Sequence, residues 1–182
     1  TTNTIYVANF ESNSVSVINR ATNTVITTIS GIPGPYGISV NPSTNKIYVS
    51  SVNSNSVSVI NGATNTVTST ISGINSPSKI AVNPTTNTIY VSNQNSASVT
   101  IINGATNTIT AIIPLLVGSI PSFIAVNPTT NTIYVTNGNP ADSISVINGA
   151  TNTVTATIPV GIQPNGITLN LSTNTIYVTN LL

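Results

Sequence analysis

The chain is 182 residues long and 39% apolar, with only five charged side chains, Glu11, Arg20, Lys46, Lys79 and Asp142, and a net charge of +1. That length suits one domain with a sizeable core, and the apolar residues are spread out rather than gathered into a run that would cross a bilayer as a helix. The scarcity of charge leaves no basic stripe for nucleic acid or anionic lipid, and the absence of Cys and His removes disulfides, thiolate metal sites and imidazole chemistry.

In chain order the first element is "TNTIYVAN" (2–9), followed by "SVSVIN" (14–19), "NTVITTI" (23–29) and "GISVN" (37–41). From there the pattern repeats. The copies begin near residues 2, 44, 86, 130 and 173, and their tyrosines, Tyr6, Tyr48, Tyr90, Tyr134 and Tyr177, are spaced 42, 42, 44 and 43 apart. A fixed period in that range marks an array of like units. One full period reads "KIAVN" (79–83), "NTIYVSN" (87–93), "ASVTIIN" (97–103) and "NTITAII" (107–113), here called strands A, B, C and D. Alternation with period 2 and enrichment in Val, Ile, Thr and Tyr predict strands, and nothing has the helical period. Strand B presents Ile89 and Val91 on one face and Tyr90 on the other, as suits a sheet stacked between two neighbours.

The connections between A and B ("NPTTN", "NPSTN") carry turn chemistry, with Pro setting φ and Asn tolerating left-handed geometry. The C–D connection "INGATN" predicts a tight hairpin in which Asn-Gly supplies positive φ. Together, "IAVNPTTNTIYVTN" and "SISVINGATNTVTATIPVG" resemble the YVTN family of β-propeller repeats, and the likeness runs the length of the chain. The resemblance implies an all-β propeller of four-stranded antiparallel blades, of 42–44 residues each, roughly four in this chain. It also implies kinship with surface-layer and other secreted proteins, and with a propeller branch that includes lactonases. Many such propellers have about seven blades. Residues 1–182 are therefore expected to form a single propeller domain or part of a larger one. The strand order, B-C-D, three times A-B-C-D, then A-B, would let the last A strand (166–169) close a four-blade ring on the first B strand, leaving the last B strand without a place. A larger ring or an assembling unit is the preferred reading. With neither an initiator Met nor a signal peptide, the chain reads as a mature or excised segment.

Differences among the copies collect in the B–C loops ("ANFESNS", "SSVNSNS", "SNQNSAS", "TNGNPADS") and the D–A connections ("SGIPGPYG", "SGINSPSK", "PLLVGSIPSF", "PVGIQPNG"). In a meandering blade both open on one face, where a rigid scaffold would display binding residues. The candidates are Tyr36, Lys79, Phe123 and Asn165 around the D–A connections, with Phe10, Glu11, Gln94, Asn139 and Asp142 in the B–C loops. Loops also vary simply because they tolerate change, and that bland reading stands beside the functional one. General acid–base chemistry would rest on Glu11 and Asp142, at different offsets from their tyrosines and with nothing to orient them. No nucleophile elbow, P-loop or zinc-ligand spacing is present.

The expectation is a noncatalytic structural or adhesive module of an extracellular surface layer, appendage or particle, working by protein–protein interaction and needing no cofactor or metal. Its partners would be other protein subunits, a second copy of the chain among them. The alternative is a carbohydrate- or peptide-binding propeller using the variable loop face, and the third reading is a lactonase-like enzyme. "NLS" at 170–172 makes Asn170 the one N-glycosylation sequon. With two side-chain carboxylates and no histidine, folding is expected to be nearly indifferent to pH between acid and neutral, as an extracellular and acidic setting would favour.

Overall fold

The protein is described by a computed structural model over residues 3–182. Seventeen strands form five antiparallel sheets in chain order. The first sheet has β1 (Thr4–Asn9), β2 (Ser14–Asn19) and β3 (Thr24–Ser30). The second has β4 (Pro35–Asn41), β5 (Lys46–Ser51), β6 (Ser56–Asn61) and β7 (Thr66–Ser72), with a 3₁₀ turn over Val52–Ser54. The third has β8 (Pro77–Asn83), β9 (Thr88–Asn93), β10 (Ser98–Asn103) and β11 (Thr108–Pro114). The fourth has β12 (Ile120–Asn127), β13 (Thr132–Gly138), β14 (Ser143–Asn148) and β15 (Thr153–Pro159). The fifth is the pair β16 (Pro164–Asn170) and β17 (Thr175–Asn180). Neighbouring sheets meet through their inner strands, β1 on β4, β4 on β8, β8 on β12 and β12 on β16, so each four-stranded sheet is a propeller blade.

The strand alternation explains the core. Between the second and third blades, Tyr48, Val57, Val59, Ile71 and Ile74 of one blade face Ile80, Ile89, Val91 and Ile102 of the next. The same set recurs one interface earlier (Tyr6, Val15, Val17, Ile29 and Ile32 against Ile47, Val49 and Ile60) and one later (Tyr90, Val99, Ile101, Ile113 and Leu115 against Ile124, Ile133, Val135 and Ile147). Each blade thus presents a Tyr-bearing face to its successor and an Ile/Val-bearing face to its predecessor.

The Asn-rich turns do more than turn. Asn41, Asn83 and Asn127 close their A–B turns by accepting from Ser43 N, Thr85 N and Thr129 N. Their amides reach the next blade, donating to Asn87 Oδ1 (2.8 Å), Asn131 Oδ1 (2.8 Å) and Asn174 Oδ1 (3.3 Å). The acceptors Asn87, Asn131 and Asn174 sit at φ +51° to +52°, a left-handed conformation that Asn tolerates. An asparagine pair therefore clamps each blade to its neighbour.

The C–D turn corrects one expectation. Its positive φ belongs to the final Asn (Asn65, Asn107, Asn152, φ +55° to +56°), not to the glycine. Gly62, Gly104 and Gly149 are needed for closeness: a Cβ at Gly104 would meet Asn87 Oδ1 and lie 2.8 Å from Asn87 O. Gly104→Ala is accordingly expected to lower stability by about 2 kcal/mol through overpacking, seen as a lower urea midpoint at unchanged slope.

The arc is left open. β16 pairs with β17 rather than with β1, so the four-blade closure considered from the strand order is not formed. At the leading end Ile5 and Val7 are 43% and 39% exposed, while their counterparts Ile47, Val49, Ile89 and Val91 are fully buried. At the trailing end Tyr177 is 56% exposed against 0% for Tyr48 and Tyr90. No helix among the described residues is long and apolar enough to cross a membrane.

Candidate functional site on the loop face

Each of the A strands β4, β8, β12 and β16 carries a β-bulge just after its first proline, with pairing lost between Pro35 and Ile38, Pro77 and Ile80, Pro121 and Ile124, and Pro164 and Gly166. Bulges re-aim side chains, and here they turn Tyr36, Lys79, Phe123 and Asn165 out of the pleat. Hydroxyls from the adjacent B strands pin them. Ser50 Oγ accepts from Gly37 N (2.7 Å) and donates across the blade boundary to Ser78 O. Ser92 Oγ accepts from Lys79 N (3.1 Å) and donates to Ser122 O (2.7 Å). Thr136 Oγ1 accepts from Phe123 N (2.9 Å).

The result is a row crossing four blades. The Phe10 ring meets Tyr36 edge-on at 6.4 Å between centroids. Lys79 Nζ lies over the Tyr36 ring, 3.9 Å from its centroid, and 5.1 Å from that of Phe123. Both distances fall within cation–π range. Burial holds the Lys79 ammonium below its ordinary pKa, because desolvation disfavours the charged form. The other lysine is used elsewhere: Lys46 Nζ donates to Gly104 O (2.8 Å) among the turns.

The remaining candidates separate. Asp142 sits at φ +35° and its Oδ1 accepts from Gln163 N (2.9 Å), tying the B–C loop to the following D–A connection. Asn13 and Asn55 do the same for Gly34 N and Ser76 N, so Asp142 fills a turn-closing position. Glu11 is exposed on the first sheet, two whole blades away from Asp142, and the arc does not bring the two carboxylates together. Asn165 and Asn139 line a cleft of about 200 Å³ with Ser122, Gln163, Ile120 and Leu181. Gln94 is half-buried in the third B–C loop, its N–H donating to Ser76 O. Gln163 and Ser122 went unnoticed in the sequence; Gln163 holds φ +52° in a D–A connection, and only the fold reveals its place in the cleft. Among the described residues no three of His, Cys, Asp and Glu gather where a metal ion would be held.

A family model described as YNCE-like β-propeller matches residues 1–142. The chain belongs to the YNCE-like β-propeller family. No curated protein matches it. Among solved structures, this propeller resembles a hydrazine synthase chain from Kuenenia stuttgartiensis (19% identity, TM-score 0.81, 91% of this chain and 48% of that one). It also resembles a chain of a mitotic checkpoint complex (15%, 0.85, 98% and 56%). A third neighbour is a Bacteroides uniformis protein provisionally assigned as a 6-phosphogluconolactonase (13%, 0.83, 98% and 61%). At these identities the likeness is one of fold. The chain spans about half to three fifths of the solved chains it matches.

Proposed function

We propose that the chain is a noncatalytic structural module of an extracellular layer, appendage or particle, and that it works by docking its two open ends onto further blades of a second copy. The observation that carries this reading is the pair of uncovered, mutually complementary faces. The leading sheet exposes the Ile5/Val7 face that every interior blade buries against its predecessor, and the trailing sheet exposes the Tyr177 face that the second and third blades bury against their successors. Because the three interfaces among the first four sheets repeat one packing, the two ends match each other as those faces do. The trailing sheet offers strands A and B with a free edge on β17, and the leading sheet offers B, C and D with a free edge on β1. Beside β17 lies an apolar cleft of about 370 Å³, lined by Ile144, Ile158, Val160, Ile176 and Val178, where the outer strands of a further blade would pack. Free strand edges and contiguous apolar faces are templates for association, and a nearly uncharged surface puts up little repulsion. Thr- and Ser-rich outer strands and the exposed sequon at Asn170 suit an extracellular setting.

The test is molar mass by light scattering across a concentration series. The wild-type chain is expected to be a dimer or larger in the tens of micromolar. Tyr177→Arg and Ile5→Arg should each return it to monomer, at little cost to the fold because both side chains are already exposed. Val117→Arg, at a position 94% exposed in a connecting loop, should leave assembly intact. A wild-type chain that stays monomeric throughout would overturn self-docking.

A further inference from the structure

We propose that the Phe10–Tyr36–Lys79–Phe123 row is a binding site for an acidic sugar, a uronate-type pyranose within a polysaccharide. The site is independent of the open ends and lies on the loop face.

Lys79 is the single basic side chain on that face, since Arg20 and Lys46 belong to the turns at the other end of the blades. Among the described residues no carboxylate pairs with its ammonium and its Nζ donates no hydrogen bond; its neighbours are two aromatic rings. Glu11 follows Phe10 in sequence, yet it too leaves Lys79 unpaired. A half-buried cation with its donors free, held by a backbone whose N–H is fastened to Ser92 Oγ, is a fixed positive point awaiting an anion. The rings on either side partly desolvate it, which strengthens a charge-assisted hydrogen bond to an incoming carboxylate.

The rest of the row selects the kind of anion. Tyr36 and Phe10 are 45% and 41% exposed, so the ring surface that Lys79 and their own edge contact leave uncovered is open to solvent rather than closed in a pocket. A pyranose has just that need: its C–H face lies on an aromatic ring while its rim seeks hydrogen bonds. The rim groups are at hand. Ser122, next to Phe123, opens the cleft that carries Asn139, Gln163 and Asn165. Amide and hydroxyl groups of this kind donate and accept, as sugar hydroxyls do. A row that crosses four blades also suits a linear polymer lying across the face better than a single small molecule in a hole. An acidic peptide would satisfy Lys79 as well, but a peptide gains most from pockets for its side chains or from a strand edge, and this row offers neither.

Isothermal titration with oligogalacturonate, a matched neutral galacto-oligosaccharide and poly-L-glutamate discriminates these ligands. The acidic oligosaccharide is expected to bind at least tenfold more tightly than the neutral one, and more weakly as salt is raised. Lys79→Gln, which keeps the side-chain stem, should remove that preference, so that the acidic and neutral oligosaccharides bind alike. Tyr36→Ala, at an exposed ring whose loss spares the core, should weaken both sugars tenfold or more. Four results would overturn the proposal: no binding of the acidic sugar, equal binding of acidic and neutral sugars, tighter binding of polyglutamate, or an acidic preference that survives Lys79→Gln. The Tyr177→Arg monomer serves as a parallel sample; binding in it as in the wild type separates this site from self-docking, and binding lost in it would place the ligand at the ends instead.

Discussion

Asn83→Ala is expected to remove about 3 kcal/mol of stability, while the same change at the equivalent Asn170 removes well under half of that. Asn83 is fully buried. Its Oδ1 accepts from Thr85 N (3.0 Å) and Thr86 N (3.4 Å), and its Nδ2 donates to Asn131 Oδ1 (2.8 Å). Alanine removes a fully buried side chain and leaves the Asn131 amide oxygen and the turn N–H groups of Thr85 and Thr86 without partners at a part-buried boundary. Asn170 keeps the turn bonds from Ser172 N and Thr173 N but is exposed, with no following blade to clamp. For a chain of this size about 3 kcal/mol corresponds to a fall of roughly 6–12 °C in Tm. Scanning calorimetry of the two variants reads the contrast directly. Equal shifts would mean that the inter-blade amide bond contributes nothing and that the repeated geometry is turn chemistry alone.

The second large effect concerns the strand tyrosines. Tyr90→Ala is expected to lose about 4 kcal/mol, as truncation of a fully buried aromatic does. Tyr90→Phe should lose nothing or add up to about 1 kcal/mol, because the Tyr90 hydroxyl is buried with no protein hydrogen-bond partner among the described residues. Tyr48 shares that condition, whereas Tyr6 donates to Asn65 Oδ1 (3.2 Å) and should lose stability on change to Phe. Burial pushes the pKa of Tyr6, Tyr48 and Tyr90 above the ordinary tyrosine value. A raised folded-state pKa means that the contribution is complete below about pH 10, the unfolded value, and is lost as pH climbs through the folded one. Lys79 runs the other way. Its folded pKa is depressed, so the destabilisation from burying its charge is present at neutral pH and fades as pH rises towards the unfolded lysine value. With three tyrosines against one lysine, the chain should weaken in alkali above about pH 10. Denaturant midpoints measured from pH 8 to 11.5 should show that fall, and Tyr48→Phe/Tyr90→Phe should make it shallower. An alkaline limb unchanged in the double variant would place the titrating group elsewhere.

Much of this was legible in the sequence because one rule, alternation with period 2, governs every strand. "TIYV" alone places Ile and Val on one face and Tyr on the other, and the three interior interfaces follow from it. The loop-face candidates were legible too, since blade repetition puts Tyr36, Lys79 and Phe123 at one end of successive inner strands. Their meeting was not. Tyr36 stands one residue after its proline and Lys79 two after its own, and only the bulges bring the ammonium over the ring. The asparagine clamps were hidden because a turn asparagine looks the same whether or not its amide reaches another blade. Asp142 had a readable signal: it stands where Asn13 and Asn55 stand, and it does their work in the turn. The role of Gly104 depended on an approach by Asn87 that no single-turn rule contains.

The clamps have a bearing on how the chain folds. Each blade touches only the blades before and after it, and most strand pairs within a blade are joined by short turns. Such an array behaves as a one-dimensional series of coupled units, in which folding starts at any blade and spreads by nearest-neighbour terms. Asn41 and Asn83 are two of those coupling terms, and weakening one in the middle divides the series. The halves would then melt as separate transitions, so the calorimetric enthalpy would exceed the van't Hoff value even where the total stability changed little.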